Sequence, residues 1–320
     1  MVNYTDILAA NDRIKGFVNK TPVMKSRTLD NMLNAEIFLK CENFQRIGAF
    51  KMRGALNAIS LLSDDQKSKG VITHSSGNHA QAVALAAKLS GIKATIVMPK
   101  TSPQVKINAT RDTYGAHVVM CEPTLDSRHK TTEELIKKNG YTLVHPYDND
   151  NVIAGAGTAA YELLREVNGI ETIFSPVGGG GLLSGTALAS KGFNSSIKVY
   201  GVEPNIVDDA FRSFKSGNVE KNYDAKSIAD GLLTTLCERT LNIIKQNVDE
   251  IITVSDQEIL NAMRFIWERM KIVVEPSGAC SLAGVLSKQI PITNKKVGVI
   301  ISGGNIDLNE FFNLLQNKIK

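Results

Sequence analysis

The sequence has few of the features that mark secreted, membrane-spanning or zinc-binding proteins. Only four cysteines are present, and their spacing matches neither a metal site nor a disulfide framework: Cys41, Cys121, Cys237 and Cys280. No stretch approaches about 18 uninterrupted apolar residues, so no transmembrane helix is predicted. The first residues, MVNYTDILAANDRIK, contain two aspartates and lack the long apolar run of a signal peptide. We therefore expect a cytoplasmic protein.

A strong excess of one charge is also absent. The 37 basic and 32 acidic residues leave a net charge of +5, and the basic residues are scattered along the chain. Because nucleic-acid-binding proteins concentrate basic residues on one surface, we expect no nucleic-acid partner. A small positive charge suits an anionic small molecule. The chain of 320 residues, 43% of them hydrophobic, is long enough to bury a real core in one or two domains.

Short apolar runs alternate with helical patterns along most of the chain. The predicted strands comprise residues 36–42, 71–74, 93–98, 116–121, 141–144, 171–177, 197–203 and 296–301. The predicted helices comprise residues 5–18, 78–89, 103–114, 126–138, 151–168, 182–191 and 255–271. Such alternation predicts an α/β fold with parallel sheets covered by helices on both faces. We expect residues 70–147 to form a small domain inserted in a large domain made of residues 1–69 and 148–320.

Four consecutive glycines, Gly178 to Gly181, stand between the predicted strand 171–177 and the predicted helix 182–191. Because glycine loses much entropy wherever it is ordered, such a run predicts a close approach of backbone N–H groups to an anion. The positive end of the helix dipole would strengthen this binding, and phosphate is the usual anion. A flexible connector is the alternative, but connectors seldom lie between an apolar strand and an apolar helix.

The residues after the glycines bear on which phosphate is bound. Leu182, Leu183 and Ser184 do not fit the glycine spacing of a dinucleotide fingerprint, and a nucleotide P-loop is excluded because no lysine follows before Lys191. Glu203, however, ends the next predicted strand about where a ribose-binding acid would lie. A dinucleotide enzyme therefore stays open on these residues alone.

Four motifs occur in a fixed order along the chain: AFKMRGA at 49–55, THSSGNHAQA at 73–82, PVGGGGLLSG at 176–185 and ISGGN at 301–305. Together they resemble the pyridoxal-phosphate enzymes of fold type II, the tryptophan-synthase-β fold, in the serine racemase and serine/threonine dehydratase branch. HPYDN, VEP, IADG and WERMK extend the resemblance over nearly the whole chain. The resemblance implies two lobes, each with a mostly parallel sheet flanked by helices, and a cofactor held by the larger lobe.

The resemblance assigns Lys51 as the lysine that forms a Schiff base with pyridoxal phosphate, and its apolar neighbours would lower its pKa. Asn78 would hydrogen-bond the ring hydroxyl, although its alternative role is a helix N-cap. Ser302 would face the ring nitrogen, and Tyr147 replaces an Asn of the mammalian racemase pattern. The implied cofactor-binding residues are Phe50, Lys51, Asn78, Tyr147, Gly178, Gly179, Gly180, Gly181, Leu182 and Ser302.

Racemisation requires an acid/base group on each face of a planar intermediate. The resemblance implies Lys51 on one face and Ser76 on the other, because related threonine dehydratases carry Ala at that position; Ser76 as a mere substrate ligand is the alternative. Arg128 resembles a position that contacts a distal carboxylate. The implied substrate-binding residues are Ser75, Ser76, Asn78, His79 and Arg128.

The implied activity is interconversion of L- and D-serine, with elimination of water from serine to give pyruvate and ammonia. The alternative within this branch is a threo-3-hydroxyaspartate or L-threonine/L-serine dehydratase with little racemisation. Outside this branch, a catalytically silent binding protein with the same phosphate site stays open. The resemblance also implies an amino-acid substrate and a homodimer.

Two further sites follow from the resemblance alone. Glu203, Asp209 and the Val207 carbonyl match the divalent-metal site of the racemase branch, and such oxygen ligands suit Mg²⁺, Ca²⁺ or Mn²⁺. This assignment competes with the ribose interpretation of Glu203. An ATP effector site is matched by Gln81, Tyr114, Lys271 and Asn305, whereas Arg27, Arg46 and Ile47 differ, so activation by ATP is left open.

Overall fold

Two sheets organise the protein in a computed structural model that describes residues 1–75, 77–102, 104–222 and 226–317. The strands are β1 Val23–Met24, β2 Glu36–Cys41, β3 Val71–His74, β4 Ala94–Pro99, β5 His117–Cys121, β6 Thr142–Leu143, β7 Thr172–Pro176, β8 Lys198–Pro204, β9 Glu250–Val254 and β10 Lys296–Ile301. One sheet has the order β1-β2-β10-β7-β8-β9 and the other has the order β5-β4-β3-β6. All strand pairs are parallel except β1 with β2.

Helices follow most of the strands. They are α1 Tyr4–Ile14, α2 Arg27–Leu33, α3 Lys51–Ser60, α4 Asp64–Lys69, α5 Asn78–Leu89, α6 Gln104–Asn108, α7 Leu125–Asn139, α8 Asp150–Glu166, α9 Gly181–Phe193, α10 Asp209–Ser216, α11 Glu238–Asn247, α12 Asp256–Phe265, α13 Pro276–Leu286 and α14 Leu308–Asn317. In the ranges that the structure describes, no helix is both long and apolar enough to cross a membrane.

The predicted α/β class with parallel sheets is confirmed. The predicted strand 296–301 and helix 78–89 have the bounds of β10 and α5, and the other predicted strands lie within two residues of theirs. The predicted helix 255–271 is interrupted, because α12 continues as a π-helical turn at Ile266–Met270. Several elements were not predicted, including the antiparallel edge strand β1 and helices α10, α11 and α13.

Strands β3 to β6 lie within residues 71–143 and form the second sheet by themselves. This placement is consistent with the small domain expected at residues 70–147, whose bounds stay a prediction. Helix α3, which precedes that segment, packs on it through one apolar cluster that contains Met52, Ile59, Val83 and Ala87. Lys51 is the first residue of α3 and therefore lies at the boundary between the two sheets and their helices.

Candidate active site

The candidate site lies at the carboxyl ends of strands, where open parallel sheets bind their ligands. The loop after β10 brings Ser302 to the start of α3, since the Phe50 amide donates to the Ser302 carbonyl at 3.0 Å. Ala49 pairs with Gly303 in an isolated β-bridge at the same place. Lys51 and Ser302, which are distant in sequence, are thus placed side by side by backbone contacts.

Gly178 to Gly181, which we call the glycine cradle, are buried and closely packed. A methyl group added at Gly178 would lie 2.9 Å from Leu232 Cα, and one added at Gly179 would overlap the ring of Tyr147. Gly180 has a φ of +85°, which is unfavourable for residues other than glycine. The flexible-connector alternative is therefore wrong.

The cradle leads directly into α9, which has no side-chain N-cap. The first N–H groups of such a helix lack partners within the helix, and the dipole adds a partial positive charge there. One cradle amide is already used, because Gly179 N–H donates to Thr234 Oγ1 at 3.0 Å. A buried, glycine-lined and uncapped helix start fits a phosphate group.

The side-chain amine of Lys51 has a pKa below its usual value. Burial lowers its pKa to about 8, and the nearby charge of Glu275 acts in the opposite direction. Its Nζ donates to the carbonyl oxygen of Pro146 at 3.1 Å and lies 5.1 Å from the centre of the Phe50 ring. A lysine with a lowered pKa is neutral more often near pH 8 and is therefore the better nucleophile towards an aldehyde.

Asn78 is held by side chains from two other parts of the chain. Its Nδ2 donates to the two carboxylate oxygens of Glu275 at 2.9 and 3.2 Å, and its Oδ1 accepts from Asn305 Nδ2 at 2.8 Å. The N-cap of α5 is Gly77, so the alternative role of Asn78 as the cap is wrong. Glu275 was not predicted: in the sequence it only precedes Pro276, a pattern typical of a helix start.

Ser302, Tyr147 and His79 complete the surroundings of Lys51. Ser302 is buried and its hydroxyl donates to the Ser277 carbonyl at 3.4 Å, a weak bond that leaves the hydroxyl available. Burial raises the pKa of Tyr147 to about 12, so its phenol stays protonated. His79 Nε2 lies 2.9 Å from the Val144 carbonyl and must donate to it, and burial holds the pKa of this imidazole well below its usual range.

The structure describes all of the predicted substrate-binding residues except Ser76. The Ser75 hydroxyl accepts from the Gly77 amide at 3.3 Å, which places Ser75 in the loop between β3 and α5. Ser76 lies outside the described residues, so its role stays a prediction. Arg128 lies on α7 near His74, and its Nε is buried with no hydrogen-bond partner among the described residues.

Three imidazoles gather beside Arg128. The ring centre of His74 is 4.9 Å from that of His129 and 6.2 Å from that of His145. Burial, together with the nearby His129, His145 and Arg128, lowers the pKa of His74 to about 4. This basic cluster was not predicted as a group, because its members come from β3, α7 and the loop after β6.

The predicted metal ligands lie between the end of β8 and the start of α10. Glu203 is fully buried and accepts from the amides of Ala210 and Phe211 at 3.0 and 2.9 Å. Burial raises the pKa of Asp209 to about 7, and its Oδ2 has no partner among the described residues. Burial and Asp209 together raise the pKa of Glu203 well above its usual range, so the two carboxylates lie close together. Among the described residues, no group of three or more His, Cys, Asp and Glu side chains could hold a metal ion.

The predicted nucleotide ligands belong to different parts of the chain, and their joint role stays a prediction. Asn305 is bonded to Asn78 and to the Ile47 carbonyl, which places it inside the candidate active site. Lys271 instead donates to the Glu268 carbonyl. Gln81 lies buried on α5, and burial raises the pKa of Tyr114.

Comparisons with known proteins agree with this site. A family model described as "Pyridoxal-phosphate dependent enzyme" matches residues 14–303. The chain is 50% identical to an L-threo-3-hydroxyaspartate ammonia-lyase of Saccharomyces cerevisiae over 98% of this chain and 97% of that protein. It is 47% identical to a serine racemase of Dictyostelium discoideum over 98% of each chain. The structure of maize serine racemase superposes with a TM-score of 0.95 at 42% identity, covering 99% of this chain and 97% of that one.

These matches extend from α1 to the loop after β10 and include every element that carries a candidate site residue. The family uses pyridoxal phosphate, so the dinucleotide alternative is wrong. Binding of this cofactor's phosphate at Gly178 to Gly181 stays a prediction. Burial of the glycine cradle, the lowered pKa of Lys51 and the buried Ser302 hydroxyl all fit such a group. The chain belongs to the family of pyridoxal-phosphate-dependent enzymes.

Proposed function

We propose that this enzyme is a serine racemase that also eliminates water from serine to give pyruvate and ammonia. The observation that carries the proposal is the position of Lys51, an amine of lowered pKa, close to Ser302 and to the Tyr147 loop that covers the glycine cradle. When bound, pyridoxal phosphate withdraws electrons from the substrate's α-carbon and so makes its proton removable.

The chain's own residues would then act as follows. The glycine cradle and the start of α9 bind the phosphate through backbone N–H groups. Lys51 Nζ removes or returns the proton at the α-carbon from one face, and Ser76 does so from the other face. The Ser302 hydroxyl would bind the ring nitrogen and leave it uncharged, because a neutral hydroxyl, unlike a carboxylate, has no negative charge to stabilise a protonated nitrogen. Ser75 and His79 are proposed to orient the substrate.

The test is a single preparation assayed with L-serine, D-serine, L-threonine and threo-3-hydroxyaspartate. Formation of D-serine from L-serine at a rate comparable with pyruvate formation would support the racemase. Elimination without racemisation would overturn it in favour of an ammonia-lyase. Cofactor binding without turnover of any of these amino acids would indicate a binding protein.

A threo-3-hydroxyaspartate ammonia-lyase is the second candidate, and the basic cluster favours it. His74, Arg128, His129 and His145 lie close together, and Asp148, the acid that acts on His145, is already paired with Arg239 at 2.7 Å. The charged guanidinium of Arg128, with the imidazoles beside it as hydrogen-bond donors, suits the second carboxylate of a dicarboxylic substrate. The relative from Saccharomyces cerevisiae is named for that activity.

We also propose that Glu203, Asp209 and the Val207 carbonyl bind a divalent cation, Mg²⁺, Ca²⁺ or Mn²⁺. Two buried carboxylates with raised pKa values, one with an unpartnered oxygen, support a cation because it would remove their mutual repulsion. Elemental analysis of the purified protein would show about one such ion per chain. Its absence after purification with Mg²⁺ present would contradict the site.

A cytoplasmic homodimer is proposed as well. Trp267 and Phe312 are 38% and 42% exposed, and their ring centres are 5.9 Å apart. Exposed aromatic side chains of this kind are typical of surfaces that are covered in an assembly. Light scattering should give a mass twice that of one chain.

The same preparation tests the nucleotide effector. ATP should raise the rate if it is bound by Gln81, Tyr114, Lys271 and Asn305, and an unchanged rate would contradict that site.

A further inference from the structure

Helix α8 is in direct backbone contact with the helix that carries Lys51. A methyl group added at Gly155 of α8 would lie 2.5 Å from the Arg53 carbonyl oxygen and 2.7 Å from Gly54 Cα. One added at Gly54 would lie 2.7 Å from the Val152 carbonyl oxygen. These distances leave no room for a side chain, so the backbones of α3 and α8 come into direct contact at Gly54 and Gly155.

The same helix also contacts the helix that follows the glycine cradle. A methyl group added at Gly157 would lie 2.7 Å from the Gly185 carbonyl oxygen, and one added at Gly185 would lie 2.6 Å from the Gly157 amide nitrogen. Residues two apart on an α-helix point in directions about 200° apart. Gly155 and Gly157 therefore face opposite sides, and α8 lies between α3 and α9.

A buried ion network prevents α3 from sliding along α8. Arg53 of α3 is fully buried and donates to both carboxylate oxygens of Glu162 of α8, each at 2.8 Å. It also donates to Glu42 at 2.7 and 2.9 Å, and Lys40 donates to Glu162 at 2.7 Å. Any shift between the helices would leave a buried charge unpaired, which is strongly unfavourable.

Lys51 is the first residue of α3, and Gly181, the last residue of the cradle, is the first residue of α9. We propose that α8 sets the distance between the Lys51 amine and the glycine cradle, and that Gly155 and Gly157 are positioning residues for the cofactor. The inference rests on the proposed roles of Lys51 and the cradle. A ligand held at two points gains affinity from the second point only when the two points have the matching separation.

The experiment compares two ligands of the full-length chain freed of cofactor: pyridoxal phosphate, and pyridoxal, which has the same aldehyde but no phosphate. The dissociation constant of pyridoxal divided by that of pyridoxal phosphate, both measured by calorimetry, reports how much the cradle adds to binding at Lys51. Gly155→Ala and Gly157→Ala are expected to lower this ratio by about ten- to a hundredfold, because a displacement of about 1 Å has effects of that size.

Gly284→Ala is the matched control. It adds a methyl group 2.6 Å from Val202 Cγ2, between α13 and β8, and so strains the core without touching α8. It should lower the melting temperature and leave the ratio unchanged. If Gly155 and Gly157 have a purely structural role, their alanine variants should likewise lower the melting temperature and leave the ratio unchanged.

If the two glycine variants do not fold, Glu162→Gln replaces them, since it keeps the side chain's shape and weakens its pairing with Arg53 and with Lys40. It should lower the ratio severalfold in the same direction. An unchanged ratio in the variants that fold, or an equal decrease in Gly284→Ala, would overturn the role of α8. A parent chain that binds both ligands equally would instead overturn the proposed roles of Lys51 and the cradle, and the present inference with them.

Discussion

The side-chain amide of Asn78 donates to both carboxylate oxygens of Glu275, at 2.9 and 3.2 Å. The same carboxylate acts on Lys51, since burial lowers the pKa of the lysine and the charge of Glu275 partly offsets that decrease. Glu275 therefore links the orientation of Asn78 to the protonation of the amine that the reaction needs.

Replacing this carboxylate should make Lys51 more acidic. The pKa of Lys51 is about 8 with Glu275 present, so Glu275→Gln should move it lower, because a stabilising negative charge is removed. Covalent attachment of pyridoxal phosphate to the cofactor-free chain, followed by absorbance, should rise with pH with a midpoint near that pKa. The midpoint should shift down in Glu275→Gln and stay in place in Glu134→Gln, an exposed position on α7. An upward shift would contradict the role of Glu275.

Lys51→Ala should abolish both the near-visible absorbance of the bound cofactor and all turnover. The reason is that Lys51 is the amine placed at the site by its contacts with Pro146 and Phe50. Borohydride treatment of the parent followed by mass spectrometry should find the cofactor attached at Lys51. Lys88→Ala, on the solvent side of α5, is the control and should keep both signals. Turnover in Lys51→Ala would remove the assignment.

Ser76→Ala should separate the two activities. Racemisation needs a group opposite Lys51, whereas elimination from L-serine needs only Lys51 to remove the proton. Loss of one acid/base group typically slows the affected step by about 10²–10⁴-fold. D-Serine formation should fall by that amount, and pyruvate formation from L-serine should fall much less. Equal losses would mean that Ser76 only binds substrate.

If the proposed divalent cation is bound, its removal should lower the melting temperature and the activity together. Glu203 and Asp209 are buried carboxylates that repel each other, so a cation would stabilise this part of the fold without contacting the reacting atoms. Addition of Mg²⁺ or Ca²⁺ after chelation should restore both properties in the parent. Asp209→Asn should no longer respond to either treatment. A parent whose melting temperature ignores chelation would exclude the site.

Arg128→Gln should distinguish the two candidate substrates. A charge-assisted hydrogen bond to the second carboxylate of threo-3-hydroxyaspartate is worth about 1.5–3 kcal/mol, so kcat/KM with that substrate should fall by roughly 10- to 150-fold. The value with L-serine, which has no second carboxylate, should change much less. Arg111→Gln, an exposed arginine paired with Asp112, is the control. Equal losses with both substrates would mean that Arg128 has a structural role.

The sequence by itself determined the elements and the chemistry at their ends. Periodicity and flanking residues predicted eight strands and the helices α5, α7, α8 and α9 within two residues, because these signals act between neighbours in the chain. The four glycines predicted a close approach to an anion, because no other residue tolerates it, and the buried cradle has that geometry. The motifs around Lys51 and Ser302 indicated the family, which the comparisons confirmed.

Only the tertiary structure decided which distant residues act on one another. Glu275, Thr234 and the cluster of His74, His129 and His145 give no local signal, since each belongs to a different strand, helix or loop from its partner. From the sequence, the glycines of α8 are expected only to weaken a helix. Their proposed role depends on the backbones of α3 and α9, which contact them directly. Local patterns specify the elements, whereas a contact between two elements depends on packing that neither element encodes alone.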